Sequence, residues 1–347
     1  MGTRVRVLLF GLLLACSPTS TPSADSSAAI ITDTQIEDIE TWESPAEHIE
    51  SANGLADFMF ELTDIHTVEI TLSDANYSAL AANPYTYVSA DIRYRDTVVT
   101  NVGVRIKGRL GSYRHLSAKP ALKVNIDAFV EDQSLFGLEE LNLNNMVQDN
   151  AQIHDMLSYA LYNSVGVAAP RTGYIWLILN GVDYGLYLNV ESYTDPFLRR
   201  NFEDPDGTLY DGDYYMETWG SYTTLDFYDS HIPYFELDEG EDNGKEDLYA
   251  LAERISHYAG TAQFDEKVGE LVNLDLFTRF WAAEMWLGQY DGYNYNTNNY
   301  RVYFDPADDG RAMLMPWDHD WSFYSGTPIT SPSGLLSYYC RWDEVCY

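Results

Sequence analysis

The period of the hydrophobic pattern changes along this chain, and that change restricts the fold more than any single motif. Residues 66–72 (HTVEITL), 88–94 and 97–107 alternate apolar or β-branched with polar side chains, the period of two expected of half-buried strands. A short helix is expected between the first two, at 77–82. In 151–165, Ile153, Leu157, Ala160 and Leu161 recur at helical spacing. Two apolar strands follow, 174–179 and 185–190, around Asn180-Gly181, whose tolerance of positive φ suits a tight hairpin. Helices are expected over 245–259 and 274–289, the second apolar enough to be buried, and a last hairpin joins 300–304 to 312–317 across the turn PADDG. Strands first and helices later give an α+β class: an N-terminal antiparallel sheet followed by a more helical C-terminal part.

The N-terminal residues carry a different message. Arg4 and Arg6 precede an apolar run over 7–15 that is too short to cross a bilayer, the layout of a secretory signal. Leu13-Leu14-Ala15-Cys16 resembles a lipoprotein signal box, in which cleavage leaves Cys16 to carry lipid; a plain secretory signal is the alternative. Residues 1–15 are thus expected to be a signal peptide, 16–51 a Ser, Thr, Pro and Asp-rich disordered tether, and 55–347 one large domain. A lipid on Cys16 would hold the exported chain on a bilayer surface of the bacterial envelope, at the outer membrane or cell surface. Cys340 and Cys346 could pair in an oxidising compartment.

Net charge is −34, and removal of the signal leaves 54 acidic against 18 basic side chains, −36. Nucleic acid does not fit such a field as a partner. Between Asp96 and Asp127, however, there is no acidic residue, while Arg105, Lys107, Arg109, Arg114, Lys119 and Lys123 all fall there. Gly103, Gly108, Gly111 and Ser112 lie in the same stretch, and glycines let backbone N–H groups approach phosphate oxygens. The island is read either as a polyphosphate site or as internal salt bridging to the acidic remainder of the surface.

A second cluster opens with Asp291 and runs through Asn294, Asn296, Asn298 and Asn299. If the following hairpin closes around 306–310, opposed residue numbers sum to about 616 and Asn298 falls opposite Asp318. Amide oxygens and carboxylates together suit a hard cation such as magnesium, whereas turn chemistry alone would also favour asparagines. The acidic run 238–247 could bind calcium or be a solvated turn, and the seven histidines show no zinc-type spacing. No hydrolase elbow or Walker loop occurs.

Five ordered blocks, among them VGVRIKGRLGSYRHLSAKPALKVNI, the segment from LNLNNMVQDN to YGLYLNVE, DGYNYNTNNYRVYF and MLMPWDHDWSF, resemble the spore-coat protein H (CotH) kinase family from about Asp64 to Phe323. The resemblance implies an atypical protein-kinase-like fold that uses ATP and a divalent metal, Mg2+ or else Mn2+ or Ca2+, to phosphorylate a protein substrate. By position, Lys119 resembles the family's phosphate-contacting lysine, with Arg105, Lys107 and Ser112 beside it. Glu191 matches a glutamate close to the nucleotide. Asp291 takes the place of the catalytic aspartate, Asn298 and Asn299 of metal ligands, and Asp318, helped by Asp320, of the metal-binding aspartate. The chain departs from the family at Lys107-Gly108, where Arg-Gly is usual, and at His154, where arginine is common after Asp149. The family also continues with further helices beyond Asp320, which implies a truncation or a short variant. Three functions follow: a surface kinase acting on envelope or extracellular proteins, a kinase-like scaffold or adhesin in coat assembly, or transfer of another group from ATP. Scarcity of ATP outside the cytoplasm opposes the first, and the intact Lys119, Asp291 and Asp318 favour it.

Overall fold

Seven strands close on themselves in the order β1-β2-β3-β4-β5-β7-β6: β1 (His66–Thr71), β2 (Val88–Tyr94), β3 (Thr97–Lys107), β4 (Ala121–Asn125), β5 (Glu140–Asn144), β6 (Thr172–Leu179) and β7 (Val182–Val190). The computed structural model describes residues 53–323 apart from Leu110, Asp213, Trp219 and Gly220; the expected signal peptide and tether, with Cys16, Cys340 and Cys346, lie outside the described residues. Every pairing in the ring is antiparallel except β1 with β6, where His66 lies beside Ile175 in a parallel ladder. The expected N-terminal antiparallel sheet is therefore a closed barrel, and the parallel pair is what shuts it. The 3-10 helix Asn53–Phe60 packs Ala56 and Met59 into the barrel's core.

Strand alternation sorts the side chains. Val104, Ile106, Leu122, Val124, Leu141, Leu143 and Tyr187 fill the barrel, so Arg105, Lys107, Lys123, Asn142 and Asn144, one residue out of phase, stand on its outer face. Strands β4 and β5 were not anticipated: each has five residues, too few for period two to stand out, and β4 sits inside the basic island.

Between the strands, α1 (Asp74–Ala82) begins where the Ser73 side chain accepts from Asn76 N–H, three residues earlier than periodicity suggested. Helix α2 (His154–Ser164) links β5 to β6. After the barrel come α3 (Asp195–Asn201), β8 (Thr208–Asp211), the hairpin β9 (Tyr214–Thr218) and β10 (Ser221–Thr224), β11 (Glu236–Glu239), α4 (Glu246–Tyr258), α5 (Phe264–Val268), α6 (Leu274–Leu287), α7 (Tyr293–Asn296), β12 (Tyr300–Asp305) and β13 (Arg311–Pro316). The chain is thus mixed α and β, with a second sheet, β11-β8-β12-β13, among the later helices. In α6, Phe277, Phe280, Ala283 and Leu287 form one buried stripe. That stripe shares an apolar cluster with Tyr159 and Tyr162 of α2 and with Leu188 and Val190 on the outer face of β7. The barrel wall thereby becomes one side of a junction whose other side is helical. Among the described residues no helix is long and apolar enough to cross a membrane.

Candidate functional site

At the polar edge of this junction the loop after α6 turns around Asp291. Glu284, buried in α6, accepts from the N–H groups of Tyr293 (2.8 Å) and Asn294 (2.7 Å). A Cβ on Gly292 would lie 2.1 Å from Glu284 Oε1, so only glycine permits this approach. Three amides converge on the Asp291 carboxylate: Asn296 Nδ2 donates to Oδ1 at 2.6 Å, and Asn298 and Asn299 donate to Oδ2 at 3.3 and 3.2 Å. A carboxylate offers about four lone-pair sites, so these three donors leave one open. Burial raises the Asp291 pKa above the usual carboxylate range, and the three amides oppose that rise.

The hairpin β12–β13 has the register expected from the sequence, Tyr300 opposite Pro316, and continues with Trp317 N–H donating to Asn299 O at 2.9 Å. This carries 318–320 up to the Asp291 loop. Gln289 ties the two together, its Nε2 donating to Asp318 O at 2.8 Å, while Asp318 N–H donates to the Tyr159 hydroxyl at 3.0 Å. Thr297, Asn299 and Asp318 all have left-handed backbone, at φ 48°, 56° and 47°. Such conformations cost on the order of 1 kcal/mol or more and persist where surrounding bonds over-determine them. Carboxylates crowd here: burial first, then the charges of Asp318, Asp155, Asp291 and Asp149, push the Asp320 carboxyl up to about 10.

Opposite them stands Lys107 on the barrel wall, its Nζ donating to Asn144 Oδ1 at 2.6 Å. Burial, with Lys123 and Arg105 adding to it, lowers the Lys107 ammonium to about 8 against the pull of Asp318 and Asp155. Lys119 is placed differently. Its Nζ lies 5.1 Å from the centre of the Tyr187 ring, and burial lowers its pKa with no carboxylate acting on it. The glycine-rich loop that connects the two lysines is stapled by Asn145, whose Nδ2 donates to Ser112 O (3.1 Å) and Lys119 O (2.8 Å). Arg105 lies beside the Tyr87 ring, and Lys123 pairs with Glu140 at 2.9 Å.

Glu191 is held elsewhere. Both of its oxygens are engaged by Arg171 and Arg200, each with a contact of 2.6 Å. In the acidic run, Asp238 pairs with Arg301 at 2.8 Å, and Asp247 accepts from Thr208 and Tyr210. The residues brought together are therefore Asp291, Asn298, Asn299, Asp318, Asp320 and Lys107, joined by Asn296 and by Asp155, Asn144 and Gln289, the last three of which the sequence does not single out. Asn296 stood in the same asparagine run and was legible there; the other three carry no local signal.

A hard cation would find oxygen donors here. Asn298 Oδ1 is buried with no hydrogen-bond partner, on an amide whose Nδ2 donates to Asp291. Among the described residues no three His, Cys, Asp or Glu side chains converge closely enough to hold an ion by themselves. The set suits magnesium in the form that takes one or two carboxylates and fills its remaining positions with water and phosphate oxygens.

The barrel wall with Lys107 and the paired loops that carry Asp291 and Asp318 meet at one junction, which lies within the stretch that a known family matches. The family described as CotH kinase protein matches residues 104–337, and the chain belongs to the CotH kinase family. It is 24% identical over 197 residues to the inner spore coat protein H of Bacillus subtilis, covering 56% of this chain and 52% of that protein. It is also 24% identical over 246 residues to invasin CotH2 of Rhizopus delemar, 68% of this chain and 40% of that one. The chain thus spans about half or less of the length of these relatives.

Proposed function

We propose that this protein is an exported, metal-dependent protein kinase that transfers the γ-phosphate of ATP to Ser or Thr hydroxyls of envelope or extracellular proteins, held at the surface by lipid on Cys16. The observation that carries the reading is the convergence of Lys107, the 318–320 turn and the amide-bound Asp291 on one junction. Lys107, with Arg105, Lys119 and the backbone of the loop around Ser112, binds the phosphates. Asp318, Asp320, Asn298 and Asn299 would hold a divalent cation, which would supply positive charge to the phosphates. Asp291 uses its open lone pair to orient the acceptor hydroxyl and take its proton as the oxygen–phosphorus bond forms and the bond to ADP breaks. The raised pKa of Asp291 moves it toward the range useful to a base. The surface placement draws on the relatives' names, a spore coat protein and an invasin.

The test is label transfer from γ-labelled ATP to envelope proteins. Asp291→Asn is expected to retain ATP and magnesium binding within a few fold while transfer falls by about two or more orders of magnitude. The mass of the product separates phosphate from nucleotide transfer. A scaffold or adhesin reading, favoured by the invasin's name, takes over if the wild type binds ATP and magnesium yet labels nothing.

A further inference from the structure

Asp155 is only 4% exposed, and its place in the first turn of α2 would ordinarily make it a partner of the helix's own N–H groups. It takes no such bond. Asp149 does that work, accepting from His154 N–H at the helix start (2.7 Å) and from Ala151 N–H in the loop before it (2.8 Å). The Asp155 carboxylate instead reaches out of the helix in two directions. Oδ1 accepts from His319 N–H at 2.7 Å, in the middle of the 318–320 turn, and Oδ2 accepts from Asn144 Nδ2 at 3.2 Å on the barrel wall.

Asn144 completes a path to the lysine, because its Oδ1 accepts from Lys107 Nζ at 2.6 Å. The chemistry fixes the direction of every bond. An ammonium only donates and a carboxylate only accepts, so an amide can join them in one orientation alone, oxygen to lysine and nitrogen to aspartate. Burying a carboxylate is costly unless its oxygens are met by donors, and here the donors come from the two halves of the site. We infer that Asp155 is a positioning residue which, through Asn144, holds the Lys107 ammonium and the 318–320 turn as one unit, so that the phosphate-binding and cation-binding groups keep a fixed spacing. The inference rests on the reading of Lys107 and Asp318 given above.

Asp155→Asn keeps the shape but puts a donor where an acceptor is needed, so Asn144 must either lose that bond or turn its NH2 toward Lys107. Calorimetric titration with ATP and magnesium is expected to show affinity at least 10-fold weaker in Asp155→Asn than in wild type. In a Lys107→Ala background the same substitution should cost less than 2-fold, since the lysine it positions is gone. Equal affinity of Asp155→Asn and wild type, or the same loss in both backgrounds, overturns the inference. If Asp155→Asn fails to fold, Asn144→Ala takes its place in the same cycle. Hydrogen exchange supplies a readout independent of nucleotide: Asn144→Ala, which touches no residue of the turn, should raise exchange in peptides covering 318–320, and unchanged exchange counts against the relay. Absence of ATP binding by the wild type defeats the functional reading, while the exchange result still decides whether the relay exists.

Discussion

Glu191 offers a direct contrast between two roles, a nucleotide contact by family resemblance and a structural clamp by geometry. Its carboxylate is 3% exposed and accepts five hydrogen bonds: from Arg171 N (2.9 Å), Nε (3.0 Å) and NH2 (2.6 Å), and from Arg200 Nε (3.3 Å) and NH2 (2.6 Å). Arg171 also reaches Asp57 at 2.7 Å and lies over the Phe60 ring, so the clamp joins β6, β7, α3 and the N-terminal 3-10 helix. Glu191→Ala leaves two arginines, each with a side chain 18% exposed, facing one another, Arg200 without its carboxylate partner and Arg171 with the exposed Asp57 alone. Breaking a buried pair in this way costs about 3–5 kcal/mol. At roughly 2–4 °C per kcal/mol for a domain of this size, the melting temperature should fall on the order of 10 °C.

Scanning calorimetry of wild type and Glu191→Ala gives the fall, and an ATP titration at a temperature where both are folded gives the affinity. The clamp predicts a large drop in melting temperature with affinity unchanged within about 2-fold; a nucleotide contact predicts the reverse. The pH dependence has a definite sign. Burial would raise the Glu191 pKa, but Arg200 and Arg171 outweigh it and hold the carboxyl below its usual range. The unfolded chain therefore binds the proton first as pH falls, so the clamp's contribution is complete above the unfolded value of about 4.3 and declines as pH drops through the depressed folded value. The gap between the two melting temperatures should stay constant from pH 8 to about 5 and close below that. A variant melting within about 2 °C of wild type at pH 7 would refute the reasoning.

Two further outcomes follow from the loop and from the acidic surface. Asn145→Ala removes both staples of the glycine-rich loop, which should cost about 1–3 kcal/mol and speed tryptic cleavage at Arg109 and Arg114; unchanged cleavage would mean that the loop is held by other contacts. Glu239 is pushed up to about 7, by burial first and then by Glu139, Asp195, Asp238 and Glu140. The folded state therefore keeps an extra proton between the ordinary value of about 4.3 and 7, and loses stability as pH rises through that window. Glu239→Gln should raise stability by roughly 1 kcal/mol at pH 8, discounted for partial exposure, and by almost nothing at about pH 3.5, where the folded and unfolded states both carry the proton, as read from urea midpoints.

Much of the site could be read from the chain because its parts are local. The asparagines that bind Asp291 lie within eight residues of it, and antiparallel pairing across one short turn makes the approach of 298–299 to 317–318 a matter of counting. Strand alternation also set Arg105 and Lys107 on one face of β3. Which lysine meets the acidic loops was not readable in this way. Lys107 and Lys119 share the same basic island, and they are separated only by how the barrel closes and which stretch of its outer wall the α2–α6 cluster covers. The same closure places Glu191 between two arginines and sends Asp155 toward His319 instead of its own helix. Periodicity and turn chemistry act over a few residues and so are written in the sequence, whereas the partner of a buried charge is chosen by packing between segments far apart along the chain, where no short-range pattern records it.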